Sequence, residues 1–146
     1  IQAQILELIV ELQKELGTAV IMITHDLGVI AETTQRVIVM YAGRKVEETD
    51  VRTLFKDPLH PYTHGLLRSI PRLEIMSGRE EARAERLAEI PGIVPALSNL
   101  PAGCTFAPRC EYADKQCQEA YPPYNEHAPN HWAGCWHTDR LSGEHQ

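Results

Sequence analysis

Ile1, Ile5, Leu8, Ile9, Leu12 and Leu16 recur at three- and four-residue intervals, with Glu7, Glu11 and Glu15 between them. That period predicts an amphipathic helix over Ile1–Leu16, stopped at Gly17. Ala19–Ile23 is an unbroken apolar run bounded by Gly17 and the polar Thr24-His25-Asp26. Without alternation it predicts a strand covered on both faces, as in a parallel sheet packed under helices. Leu27–Glu32 predicts a short helix with Asp26 near its start. Arg36–Tyr41 is a second β-rich run, Gly43 a turn, and Arg44–Glu48 a third, more polar strand of edge character. The succession is that of an α/β fold entered part-way through. A chain opening on Ile1 rather than Met agrees with a piece of a longer protein.

The pattern changes at Asp57. All ten prolines lie between Pro58 and Pro129, and long apolar runs disappear. Pro61 can open a helix reaching Ile70, because the first helical position has no intrahelical N–H bond to lose. Gly78–Glu89, rich in Arg and Glu, reads as a solvated helix or connector. The sequence therefore divides into residues 1–57, the end of an α/β domain, and residues 58–146, a Pro- and Cys-punctuated extension.

Charge and composition narrow the function. Fourteen Lys+Arg stand against 20 Asp+Glu, a net charge of -6, with no basic run to offset it, which argues against a nucleic-acid partner. No apolar stretch approaches the roughly 20 residues of a membrane-spanning helix. No basic segment followed by an apolar one opens the chain as a signal peptide would. Hydrophobic residues make up 43%, which argues against wholesale disorder.

Four cysteines, Cys104, Cys110, Cys117 and Cys135, follow the pattern C-x5-C-x6-C-x17-C. Their segment has too few apolar residues for a core of its own, so it needs a staple. Nothing directs the chain to an oxidising compartment, which disfavours disulfides. Structural zinc usually sits on closer cysteine pairs, whereas an iron–sulfur cube accepts thiolates from separate loops. Spacing alone leaves zinc, iron–sulfur and free thiols open. His127, His131 and His137 are competing ligands near Cys135, though loop or surface roles suit them better. Trp132 and Trp136 flank Cys135 and could shield a metal centre or anchor a small core.

Three blocks bring a family into view: Ile1-Gln2-Ala3-Gln4-Ile5-Leu6 followed by Ile21-Met22-Ile23-Thr24-His25-Asp26-Leu27-Gly28-Val29; Val39-Met40-Tyr41-Ala42-Gly43-Arg44-Lys45-Val46-Glu47-Glu48; and His60-Pro61-Tyr62-Thr63, leading to Ile90–Pro95 and Gly103–Cys110. In this order they resemble the C-terminal part of the ATP-binding subunits of bacterial dipeptide/oligopeptide ABC importers. The resemblance implies that residues 1–57 end a P-loop ATPase domain and that residues 58–146 form the His-Pro-Tyr/Cys-rich extension. It makes His25 the switch histidine that reaches the ATP γ-phosphate, beyond the carboxyl end of a strand, where open α/β sheets bind ligands. It also tilts the four cysteines towards a [4Fe–4S] cluster, with Zn2+ as runner-up. His60 resembles a family marker, read here as packing and a turn.

The G-x-x-x-x-G-K-[ST] cradle and an acidic Walker-B strand end occur nowhere in the sequence. The intact subunit is thus expected to be an ATPase using ATP and Mg2+, and this chain alone to be inactive. The implied partners are a second ATPase subunit and transmembrane permeases at the cytoplasmic face of the inner membrane, with no direct peptide binding. The competing reading is a stand-alone four-cysteine metal-binding module without ATPase activity. A small redox enzyme is disfavoured by the lack of a C-x-x-C pair.

Overall fold

The computed structural model describes residues 1–70 and 89–141. The connector read at Gly78–Glu89 lies almost entirely outside the described residues. The chain forms two compact units, Ile1–Gln35 and Arg36–Gln146.

In the first unit, α1 (Gln2–Leu16) ends as its sequence predicts. Gly17 adopts φ 63°, and its N–H donates to the Gln13 carbonyl at 3.0 Å. Glycine takes this left-handed conformation without the penalty a Cβ brings. α2 (Leu27–Thr33) begins at Asp26, whose Oδ1 accepts from Gly28 N at 2.9 Å and Val29 N at 3.3 Å. The carboxylate answers two of the helix's otherwise unpaired N–H groups.

The strand predicted at Ala19–Ile23 does not form. Ile21 and Ile23 are 91% and 95% exposed. A parallel strand makes its hydrogen bonds to neighbours, and no strand among the described residues pairs with this run. Among the described residues no parallel pairing forms; the sheet present is small and antiparallel, in an α/β architecture.

That sheet belongs to the second unit. It comprises β1 (Arg36–Tyr41) and β2 (Arg44–Asp50), followed after helices α3 (Val51–Lys56), α4 (Pro61–Arg68) and α5 (Lys115–Glu119) by β3 (Asn125–Ala128) and β4 (His131–Ala133). The order is β1-β2-β4-β3, antiparallel throughout. Ala42 (φ 47°) and Gly43 (φ 78°) join β1 to β2 with two left-handed residues, as a tight hairpin with the native twist requires. On β1 the alternation is clean: Val37, Val39 and Tyr41 are buried, Ile38 and Met40 exposed.

β2 corrects the expectation of an edge strand. It lies between β1 and β4, and Val46, Glu47, Glu48 and Thr49 are all buried. Its polar composition reflects buried charge that is paired. Glu48 is met by Arg36, by Lys45 Nζ at 3.1 Å and by the Tyr124 hydroxyl at 3.2 Å.

α4 opens at Pro61 as predicted, with His60 as its cap: His60 Nδ1 accepts from Tyr62 N at 3.0 Å. Tyr41, Tyr62 and Phe106 pack at ring separations of 4.7–5.5 Å, and His60 lies 5.8 Å from Phe106. Aromatic edges and faces at these distances attract beyond their burial. A short helix, α6 (Thr138–Leu141), closes the described chain. Among the described residues no helix is long and apolar enough to cross a membrane.

Candidate metal centre

Cys104, Cys110, Cys117 and Cys135 line one pocket, together with Phe106 and Trp136, and none is in a disulfide. Three separate pieces of backbone bring them there. Cys104 and Cys110 sit on a run of turns, with Ala107 N donating to Cys104 O at 3.1 Å and Cys110 N to Ala107 O at 3.2 Å. Cys117 lies in α5, whose cap Asp114 accepts from Cys117 N at 3.1 Å. Cys135 follows β4, held to the sheet where Gly134 N donates to Val46 O at 2.9 Å.

The turns and α5 are tied directly, since Cys104 N donates to Cys117 O at 2.7 Å. Gly103 permits that approach: a Cβ there would stand 2.2 Å from Cys117 O. Arg109 anchors the turns to earlier chain. Its guanidinium donates to Pro91 O (2.9 Å), Ile90 O (3.1 Å) and the Tyr41 hydroxyl (3.4 Å).

Burial raises all four thiols above the ordinary cysteine range, Cys110 to about 11 and Cys135 to about 12. Their nearness to one another adds to the shift. Raised in this way, they are neutral thiols near neutrality rather than reactive thiolates. A metal would displace their protons on binding. Four thiols from three backbone segments, in a pocket walled by aromatic and proline side chains, fit a four-thiolate cofactor by donor type and number. The His137 N–H, which donates to Cys135 Sγ at 3.3 Å, adds the kind of outer contact that stabilises thiolate ligands.

The histidines weighed as ligands separate. His131 Nε2 lies 2.7 Å from Glu47 Oε1, both buried away from the pocket, and His127 Nε2 lies 3.2 Å from Ala133 O. Only His137 lines the cysteine pocket together with His60. Trp136 also walls it, its Nε1 donating to Ala120 O at 3.1 Å, whereas Trp132 stacks on Tyr124 at 6.1 Å. Two further residues build the site, and the first carries no obvious signal in the sequence pattern. Glu47 accepts from Leu59 N (2.8 Å) and His60 N (3.0 Å), fastening the start of α4 to β2. Asp114 was legible in principle, because Asp-x-x before a helical Cys is a capping pattern.

His25 is exposed on the bend before α2. Asp26 N donates to Thr24 Oγ1 at 3.0 Å, so both neighbours of His25 are fixed locally.

Residues 46–117 match the family model described as the oligopeptide/dipeptide transporter, C-terminal region. The chain is 52% identical over 141 residues to a probable peptide ABC transporter ATP-binding protein of Sinorhizobium fredii, covering 97% of this chain and 40% of the relative. It is 46% identical to the oligopeptide transport ATP-binding protein OppD of Escherichia coli, over 93% of this chain and 38% of the relative. The OppD of Mycobacterium bovis is 44% identical over 98% of this chain and 22% of its own length. The chain thus spans about 40% or less of these relatives. It belongs to the family of peptide ABC transporter ATP-binding proteins, whose C-terminal region it carries.

Proposed function

We propose that the chain is part of the ATP-hydrolysing subunit that powers import of dipeptides or oligopeptides across a bacterial inner membrane. The observation that carries this reading is the similarity to peptide-transporter ATP-binding proteins over 92–98% of the chain. Residues 1–57 correspond to the end of the ATPase domain and residues 58–146 to the extension. The intact subunit sits peripherally on the cytoplasmic face. It pairs with a second ATPase subunit and drives the attached permeases by closing on ATP.

His25 acts in that subunit as the switch histidine. An imidazole at the γ-phosphate hydrogen-bonds it, positions the attacking water and registers phosphate loss. The exposure of His25 and the fixed geometry of Thr24 and Asp26 on either side suit a ring that must reach an incoming nucleotide. ATP and Mg2+ are held by the P-loop and Walker-B residues of the remainder of the subunit. The 146-residue chain by itself hydrolyses no ATP above background.

In the extension, Cys104, Cys110, Cys117 and Cys135 hold a [4Fe–4S] cluster. Bound there, it would supply a covalent staple between loops that lack an apolar core of their own. A single zinc on the same four thiolates is the second reading, favoured by the same donor set.

The ATPase assignment is tested by His25→Ala in the intact subunit. ATP hydrolysis and peptide uptake should fall at least about 100-fold while nucleotide binding persists. Hydrolysis at the wild-type rate would overturn the role of His25.

A further inference from the structure

A second set of metal donors overlaps the cysteine pocket, with Cys117 and His137 in its lining and Asp114 beside them. A carboxylate oxygen of Asp114, Cys117 Sγ and an imidazole nitrogen of His137 all lie within 4.8 Å of one another. Asp114 Oδ2 and His137 Nε2 are 2.8 Å apart. His137 Nε2 is buried, and its approach to Oδ2 is poorly aligned for a hydrogen bond although the two atoms are close. An ion or a water beside such a poorly aligned pair would complete its bonding. We propose that Asp114, Cys117 and His137 form a mixed-donor site for a single divalent ion of the zinc class, exclusive with the four-cysteine set because Cys117 belongs to both.

The donor chemistry suits such an ion. Zinc accepts carboxylate oxygen, thiolate and imidazole together, at tetrahedral positions. Asp114 is already oriented to ligate, because Oδ1 accepts from Cys117 N at 3.1 Å, which fixes the carboxylate and leaves Oδ2 to face the ion. Two of the three donors come from one capped turn of helix, Asp114 and Cys117, and the third from the segment entering α6. The site is reachable, with the Asp114 side chain 40% exposed and His137 13%. Water completes the coordination. Such a mononuclear site would use one of the four cysteine thiolates, that of Cys117.

The inference stands apart from the cluster assignment, and Co2+ separates the two. The full chain, freed of metal without oxygen, is titrated with Co2+ while its d–d and thiolate-to-cobalt bands are followed. One Co2+ should bind in the wild type, in Cys104→Ser and in Cys110→Ser. Affinity should drop at least about 10-fold in Asp114→Asn and in His137→Gln, and Cys117→Ser should lose the charge-transfer band. Asparagine caps a helix nearly as well as aspartate, so Asp114→Asn keeps the fold. Reconstitution with iron and sulfide should proceed in Asp114→Asn and fail in Cys104→Ser. Loss of Co2+ binding in Cys104→Ser, or no Co2+ bound by the wild type, overturns the mixed-donor site without touching the cluster. In cells grown with little iron and added zinc, the isolated chain should carry one zinc that His137→Gln loses and Cys104→Ser retains. The reverse pattern also overturns it.

Discussion

A carboxylate with no exposed surface is costly unless its oxygens are answered. Glu47 meets that condition with three donors: Leu59 N, His60 N and His131 Nε2, the last at 2.7 Å. These contacts join β2, the entry to α4 and β4, so Glu47→Ala should destabilise the fold by about 3 kcal/mol, read from the urea midpoint. His60 has no room for a charge. Burial pushes its imidazole down to about 4 from the usual 6.5, against the pull of Glu47. Between these values the unfolded chain takes a proton that the folded chain refuses. Stability should therefore fall as pH drops through 6.5 towards 4, by roughly 2 kcal/mol at about pH 5. His60→Asn, which keeps an acceptor for Tyr62 N, should flatten that decline; an unchanged pH profile would assign the sensitivity to other groups.

The elements that announce themselves do so through local chemistry. α1 and α2 carry their stop and start in Gly17 and Asp26, and β1 carries a period of two. Partners distant in sequence decide the rest. β2 is interior because three residues near the chain's end, His131–Ala133, form the strand that pairs with it, and nothing in Arg44–Asp50 foretells that. Ala19–Ile23 has the composition of a buried strand, yet a strand without neighbours has no hydrogen bonds to make. The turns holding Cys104 and Cys110 depend on Gly103 in the same non-local way. Gly103→Ala would drive a methyl into Cys117 O and Gln118 O. It should cost about 3 kcal/mol and lower the bound metal although every cysteine remains. Full metal content in that variant would show that the Cys104–Cys117 backbone contact does not set the site.

For the molecule as a whole, the cysteines were legible as a set and the histidines were not. Four thiols in a segment poor in apolar residues imply a staple, and the fold gathers all four in one pocket. Histidine spacing carries no comparable signal: His131 answers a buried glutamate, while His137 reaches Asp114. Which metal the thiols take follows from neither spacing nor burial, since iron–sulfur and zinc accept the same donors. The most direct measurement is iron, acid-labile sulfide and zinc in the full chain purified without oxygen, with its visible spectrum. Roughly four irons and four sulfides per chain are expected, lost when any of Cys104, Cys110, Cys117 or Cys135 becomes serine. A chain with zinc and no sulfide, or one that keeps its full iron content without one of these cysteines, would contradict the cluster.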